Sequence, residues 1–394
     1  MLDTIVTLNL SFLVFTFGSL LVAVQVAGGQ YTPRIIATTF LRDNSIRFTV
    51  AYFVFTMLFA LRVSSRMGNE MVHQFNTWMA GVLGLVSIAI FLYLIDYAAR
   101  MLRPVSIVQR VGKSGIAVIQ SVYPESNAHP RPEASSGRPA SPDRAVANAG
   151  ASGIVLAVDI EGLAAKALHA GGMIEFVPQV GDFVAMDEPL FLLYGGAGAL
   201  DDRELQAAVA LGSERTLEQD PTFAFRILVD IAIKALSPAI NDPTTAVLAI
   251  DQIHRLLRVV GLRHVSREEI LDESGKPRLV FRTPNWEDFV HLACTEIRHC
   301  GAGSVQITRR MRSMLENLVQ TLPAHRHPEL YKQVDLLDRA IEEHYSFAED
   351  RALARIADPQ GLGGTLGVQA AGRVRTDAAA LQLGLEGARA LEVD

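Results

Sequence analysis

No formally charged side chain stands between Asp3 and Arg34, and residues 10–27 (LSFLVFTFGSLLVAVQVA) are nearly continuous in Leu, Val, Phe and Ala. Rising about 1.5 Å per residue, roughly 20 such residues cross a hydrocarbon core some ~30 Å thick. The run, taken as residues 8–28, therefore reads as a transmembrane helix. A cleaved signal peptide has a basic start, a shorter apolar region and a small-residue cleavage site. This segment instead opens Met-Leu-Asp and runs on.

Two further spans follow. Residues 46–63 are free of charge only from Phe48 to Leu61, but Arg47 and Arg62 can snorkel to the headgroups on their aliphatic stems and so complete a crossing. Residues 77–98 contain WMAGVLGLVSIAIFLYLI before the first acid, Asp96, with Trp78, Tyr93 and Tyr97 near the ends where amphipathic rings favour the interface. Asp96 is the one acid embedded in the spans. An intramembrane carboxylate suggests an ion path or a helix-pairing site. Its spacing to Arg100 favours the plainer account, an i,i+4 ion pair at the membrane surface.

Basic residues orient the spans. The loop after the first span carries Arg34, Arg42 and Arg47, and the exit from the third carries Arg100, Arg103, Arg110 and Lys113. By the positive-inside rule the N-terminus lies outside and the large C-terminal part lies in the cytoplasm.

Composition supports the division. Residues 1–113 hold nine Lys/Arg against four Asp/Glu, so with a net charge of −6 overall the remaining 281 residues carry −11. One end is apolar and slightly basic, the other acidic, which argues against a uniform soluble globule, a disordered chain or a basic nucleic-acid binder. The two cysteines, Cys294 and Cys300, are too few for a disulfide framework and read as free thiols in a reducing compartment.

Beyond the membrane region, residues 114–200 suggest a small β-barrel-like module. Residues 115–122 (GIAVIQSV) and 153–160 (GIVLAVDI) are Gly-led and rich in β-branched side chains, as strands are. Between them, residues 124–150 hold five prolines without apolar periodicity and read as a disordered insertion. A short helix is expected over 163–169. In residues 173–194, Gly181-Asp182 and Asp187-Glu188-Pro189 mark turns between strands, the first of which runs to Val180. This construction is similar to the half-motif of lipoyl and biotinyl domains, but no lysine stands at the turn where a carrier would be modified.

Residues 201–357 read as a helical domain. One helix is expected over 201–212. Asp220-Pro221-Thr222 then opens another, with Asp as N-cap and Pro in the first turn, and Asp242-Pro243-Thr244-Thr245 repeats the signal after Ser237-Pro238 ends the first. Phe223, Ile227, Leu228, Ile231, Ala235 and Leu236 form an apolar stripe, while Arg226, Asp230 and Lys234 form a charge ladder at four-residue spacing. A strand is expected over 278–282, then helices over 285–299, 304–322 and 329–357. Residues 358–394 read as a flexible tail.

The block 230–247 (DIAIKALSPAINDPTTAV) resembles the most distinctive segment of a bacterial family of predicted membrane proteins, domain of unknown function 2254. Residues 30–34 (QYTPR) and 40–43 (FLRD) are similar to that family's segment between two transmembrane helices, and 180–184 (VGDFV) to its soluble barrel segment. The resemblance spans about residues 30–357. It implies a bacterial inner-membrane protein and, in many members, one further helix upstream of the three seen here, while the Pro-rich insertion departs from the pattern. The family has no established activity, so the resemblance implies architecture and not chemistry.

No catalytic constellation stands out. Glu287, His291, Cys294, His299 and Cys300 crowd together, yet on one helix His299 and Cys300 turn away from the face shared by the others. The Gly195-Gly196-Ala197-Gly198 run lacks both the Walker lysine and the Rossmann spacing, and no Gly-x-Ser-x-Gly elbow occurs. No metal, cofactor or enzymatic role is therefore expected. The best contact candidates are Arg226, Asp230, Ser237, Asn241, Asp242, Thr244 and Thr245, grouped around a helix start that either receives a ligand or a second subunit or simply closes a tight turn. Gly81, Gly84, Ser87 and Ala89 permit close helix approach, which favours a homo-oligomer in the bilayer. The expectation is a mainly α, oligomeric membrane protein with a channel- or transport-like role and an unidentified small-molecule or ion ligand, the alternative being a membrane-tethered sensor or interaction scaffold.

Overall fold

The computed structural model describes residues 1–30, 44–66, 74–101, 103–124, 141–265 and 269–363. Most of the two loop motifs (QYTPR, FLRD), most of the Pro-rich insertion and most of the expected tail fall outside the described residues. The chain divides into two units, residues 1–110 and 111–394, with the division inside one helix.

The first unit is a bundle of three helices, α1 (Leu2–Gln30), α2 (Asn44–Ser65) and α3 (Gln74–Met101). Each is long and apolar enough to cross a membrane. Leu13, Phe53 and Leu94 pack together, and the Phe12 ring stacks on Phe91 at 4.0 Å. Large apolar side chains such as Leu21, Phe48 and Leu85 face outward, as expected where lipid is the solvent. Gly84 meets Ile5 of α1, where a Cβ would lie 3.1 Å from Ile5 Cγ1, and the hydroxyl of buried Ser87 donates to Leu83 O. Much of the small-residue face of α3 is thus taken up inside the bundle, while Ala89 stays exposed.

The next helix, α4 (Pro104–Val122), corrects the strand expected over 115–122. Its buried positions Ile107, Val108, Val111, Gly115 and Ile119 recur at helical spacing, and Tyr123, just past its end, continues the buried face. The glycines that look like strand punctuation are close-packing positions in a helix. A Cβ on Gly112 would lie 2.4 Å from Gln252 Oε1, and one on Gly115 would lie 2.8 Å from Ala224 Cβ.

The β module is not a closed barrel. It consists of β1 (Arg144–Ala147), β2 (Gly153–Val158), β3 (Gly172–Phe176), β4 (Phe183–Val184), β5 (Pro189–Gly195) and β6 (Val209–Gly212), joined by β7 (Glu269–Leu271) and β8 (Pro277–Phe281). A five-stranded sheet runs in the order β1-β5-β3-β8-β7, and a three-stranded sheet in the order β4-β2-β6. All pairs are antiparallel except β3 with β8, where Ile174 faces Leu279. β3 ends at Phe176, short of Val180. The helix expected over 201–212 is instead a short α6 (Asp202–Gln206) followed by strand β6, where Val209 pairs with Val158. Between β2 and β3, helix α5 (Ile160–His169) buries Leu163 and Ala167 in a core with Ile174, Phe191, Leu193 and Leu279.

The helices of the second unit pack on α7 (Pro221–Ala235), which is buried on all but the narrow face that carries Arg226, Asp230 and Lys234. It packs on α8 (Pro243–Gly261) and α9 (Trp286–Gly301). Asp220 and Asp242 cap α7 and α8 as their spacing predicts, accepting from Phe223 N at 3.1 Å and Thr245 N at 3.0 Å. α10 (Val305–Thr321) and α11 (His327–His344) complete the layer, and the expected helix over 329–357 breaks after His344 before a short α12 (Ala348–Ala354). β7 and β8 lie between α8 and α9 in sequence but belong to the five-stranded sheet. Strands from beyond residue 200, β6, β7 and β8, thus complete the two sheets.

Candidate functional site

The end of α4 is fixed from two sides. The Arg263 guanidinium donates to the carbonyl oxygens of Tyr123 and, at 3.1 Å, Pro124. The Tyr123 ring meets Phe289 edge-on, 6.3 Å between centroids. Tyr123 is 2% exposed and its hydroxyl has no hydrogen-bond partner among the described residues. Burial, reinforced by the negative charges of Asp220 and Asp288, pushes this phenol well above its ordinary pKa, so it stays a neutral donor.

Tyr123 lines a cleft of about 630 Å³ within the second unit. Phe176 and Phe281, the last residues of the parallel strands β3 and β8, contribute aromatic surface, with Val180, Ile270 and Pro284 alongside. Asp159 and Glu161, at the start of α5, add carboxylates, and Arg282 adds a guanidinium one residue beyond β8.

Local bonding holds these groups in place. Asp159 caps α5 by accepting from Gly162 N at 2.9 Å, and its own N–H donates to Ala208 O at 2.9 Å. Gln219, also on the cleft, accepts from Val158 N at 3.0 Å and ties the loop before α7 to the end of β2. Thr283 Oγ1 donates to Val265 O at 3.1 Å, anchoring the segment after β8. The size suits a small organic molecule, and the wall mixes apolar side chains with polar groups that can orient one.

None of the contact candidates read from the sequence lines this cleft. Ser237, Asn241, Asp242, Thr244 and Thr245 come together in the α7–α8 turn. Asn241 takes a left-handed conformation, φ 48°, and its N–H donates to Ser237 O at 2.8 Å. Ser237 Oγ donates to Lys234 O at 2.7 Å, and Thr245 Oγ1 donates to Asp242, whose carboxylate thus serves its own helix start. Thr244 is exposed on the first turn of α8.

Arg226 and Asp230 form a separate cluster, in which Arg226 pairs with Asp230 and reaches Glu296 of α9 with Nη2 at 2.9 Å from Oε2. The hydrogen bond to Glu296 raises the Arg226 pKa further, and the same bond lowers that of Glu296. Asp96 pairs with Arg100 on α3, both side chains more than half exposed. Among the described residues no group of three His, Cys, Asp or Glu side chains is placed to hold a metal ion.

The cleft residues escaped sequence reading because they come from seven short stretches scattered over residues 121–284. The local signals were present only as a cap and a turn, Asp159 before α5 and Val180 before Gly181-Asp182.

The first unit has its own groove, about 720 Å³, lined mainly by apolar side chains including Ile5, Leu8, Trp78 and Leu85. It lies between helices long enough to span the bilayer, where lipid is the ordinary contact.

Comparison with known proteins agrees with this architecture. A family model described as a predicted membrane protein, DUF2254, matches residues 1–317. An uncharacterised protein of Mycobacterium bovis and one of Mycobacterium tuberculosis are each 26% identical over 349 residues, covering 86% of this chain and 67% of their own length. No solved structure matches the chain. With four-fifths of its length matched by the family model, and its membrane helices and Asp-Pro-Thr helix starts inside the matched region, the chain belongs to the DUF2254 family of predicted membrane proteins.

Proposed function

We propose that this protein is a membrane-anchored sensor, in which three spanning helices hold a ligand-binding unit at the membrane and occupancy of the cleft is the input. The carrying observation is the cleft itself, about 630 Å³, assembled by backbone and side-chain ties from strand ends, a helix start and the end of α4. The flanking arginines support a bacterial inner-membrane location with the second unit in the cytoplasm. The reading includes the bilayer and a second copy of the chain as partners, no nucleic acid, no cofactor and no catalytic step.

The test is thermal unfolding of the full chain in lipid nanodiscs against a library of soluble metabolites. A ligand at a hundred times its Kd contributes about 2.7 kcal/mol, so a specific ligand shifts the midpoint by roughly 5 °C. Ala210 lies exposed on the cleft wall, so Ala210→Trp fills the cleft without entering the core. The shift is expected in the parent chain and absent in the variant. A library without any stabiliser, or a stabiliser indifferent to Ala210→Trp, overturns the reading.

A transport-like assembly is the second reading, favoured by buried polar groups in the spanning bundle. Asn9 is fully buried with no partner for Oδ1 among the described residues, and Thr56, also fully buried, sits beside the Tyr52 hydroxyl. Unsatisfied polar atoms at that depth are costly and mark pathways or helix contacts. Ion flux in liposomes, abolished by Asn9→Leu and lowered by Asp96→Asn, would favour this reading over the sensor; absence of flux removes it.

A further inference from the structure

Resting on the reading of the cleft as a ligand site, we propose that its ligand is a zwitterion, an amino acid or short peptide with apolar side chains. Three charged groups share the cleft: Asp159, Glu161 and Arg282. Arg282 is exposed, and none of the three is ion-paired with another or with any other described residue. Neighbouring charges behave differently. Arg278, four residues earlier on β8, is paired with Asp272 at 2.7 Å, and Lys166 of α5 is paired with Glu204. Opposite charges therefore stand in one cleft without neutralising each other, an arrangement complemented by a ligand that carries both.

The polarity of each end follows from its place in the fold. Asp159 and Glu161 sit at the N-terminal end of α5, where negative side chains are favoured by the helix dipole. With Asp159 Oδ1 already occupying the Gly162 N–H, that helix start repels phosphate or carboxylate and attracts an ammonium group. Arg282 offers the planar donor fork that matches a carboxylate in bidentate fashion. Phe176, Phe281 and Ile270 provide the apolar wall for side chains. The volume exceeds that of one amino acid and accommodates a dipeptide.

The test measures binding to the full chain in nanodiscs by calorimetry, with L-leucyl-L-phenylalanine, its N-acetyl form and its methyl ester as probes, and with free leucine and phenylalanine. The dipeptide or a free amino acid binds, and removing either ligand charge weakens binding at least about tenfold, the scale of one lost charged hydrogen bond. Arg282→Gln then removes the discrimination against the methyl ester alone, and Glu161→Gln the discrimination against the N-acetyl form alone. Both positions are exposed, so the fold tolerates the changes. Equal binding of the three dipeptide forms, or no binding of any amino acid or dipeptide, overturns the zwitterion assignment. A neutral probe, N-acetylphenylalaninamide, that binds the parent chain but not Ala210→Trp would leave the cleft as a ligand site while still overturning this assignment.

Discussion

Arg215 holds Asp220 by a charged hydrogen bond, Nε to Oδ2 at 2.9 Å, and its guanidinium fills the space where Gly181 would carry a side chain. Two turns that the sequence presents as unrelated, Val180-Gly181-Asp182 and Asp220-Pro221-Thr222, are thereby locked together. The same guanidinium lies over the Phe223 ring at 5.7 Å. Through Asp220 the contact reaches the start of α7, the most enclosed helix of the second unit.

Gly181→Ala should therefore destabilise the second unit by about 1–3 kcal/mol, the cost of a strained left-handed residue, with displacement of Arg215 in addition. Gly181 has φ 96° and a Cβ there would lie 2.0 Å from Arg215 Nη2. Gly275 has φ 80° with nothing within 4 Å, so Gly275→Ala carries the backbone strain alone and should cost less. Urea unfolding of both variants in mild detergent checks the order.

Gly115→Leu should break the docking of α4. Its Cβ would sit 2.8 Å from Ala224 Cβ and 3.1 Å from Leu256 Cδ2, both on buried helices, so neither neighbour yields cheaply. Overpacking of this kind costs about 1–3 kcal/mol. A lowered unfolding midpoint with loss of protease protection at the end of α4 is the expected result; unchanged stability would show that the helix is not packed there.

The two thiols should differ in reactivity. Cys294 is fully buried, and burial pushes its pKa up to about 12, whereas Cys300 is exposed on the same helix. A maleimide at neutral pH should label one site per chain in the native protein and both in denaturant, because only an accessible thiolate reacts. Cys300→Ser should abolish native labelling while leaving the Cys294 reaction in denaturant.

Acid should weaken the helical layer through His254. Its ring Nε2–H donates a 2.9 Å hydrogen bond to Asn317 Oδ1, and burial, aided by the nearby Arg310 and Arg258 charges, lowers its pKa below the ordinary value. The unfolded chain then binds a proton that the folded chain refuses, so stability falls as pH drops below about 6.5 toward the folded pKa. His254→Gln, which keeps a hydrogen-bonding group without titrating, should flatten the unfolding midpoint over that window relative to the parent.

What the sequence by itself determined is local. Three apolar runs specify helices long enough to cross a bilayer, and the two Asp-Pro-Thr signals specify the starts of α7 and α8, because periodicity and capping act within one or two turns. Where a short segment satisfied two local codes, only tertiary structure chose. Residues 115–122 fit a strand by β-branched content, yet Gly112 and Gly115 let a helix approach Gln252 and Ala224 from more than a hundred residues away. Strand β8 was legible as a strand, but its parallel pairing with β3 across a hundred residues was not, since register is set by the complementary partner surface. The same holds for the charges of α10: Arg309 is fully buried, donating to Ile356 O at 3.0 Å, and Arg312 pairs with Asp338, partners supplied by other parts of the chain. The cleft belongs to that second class, because its walls come from stretches too distant and too short to leave a pattern of their own.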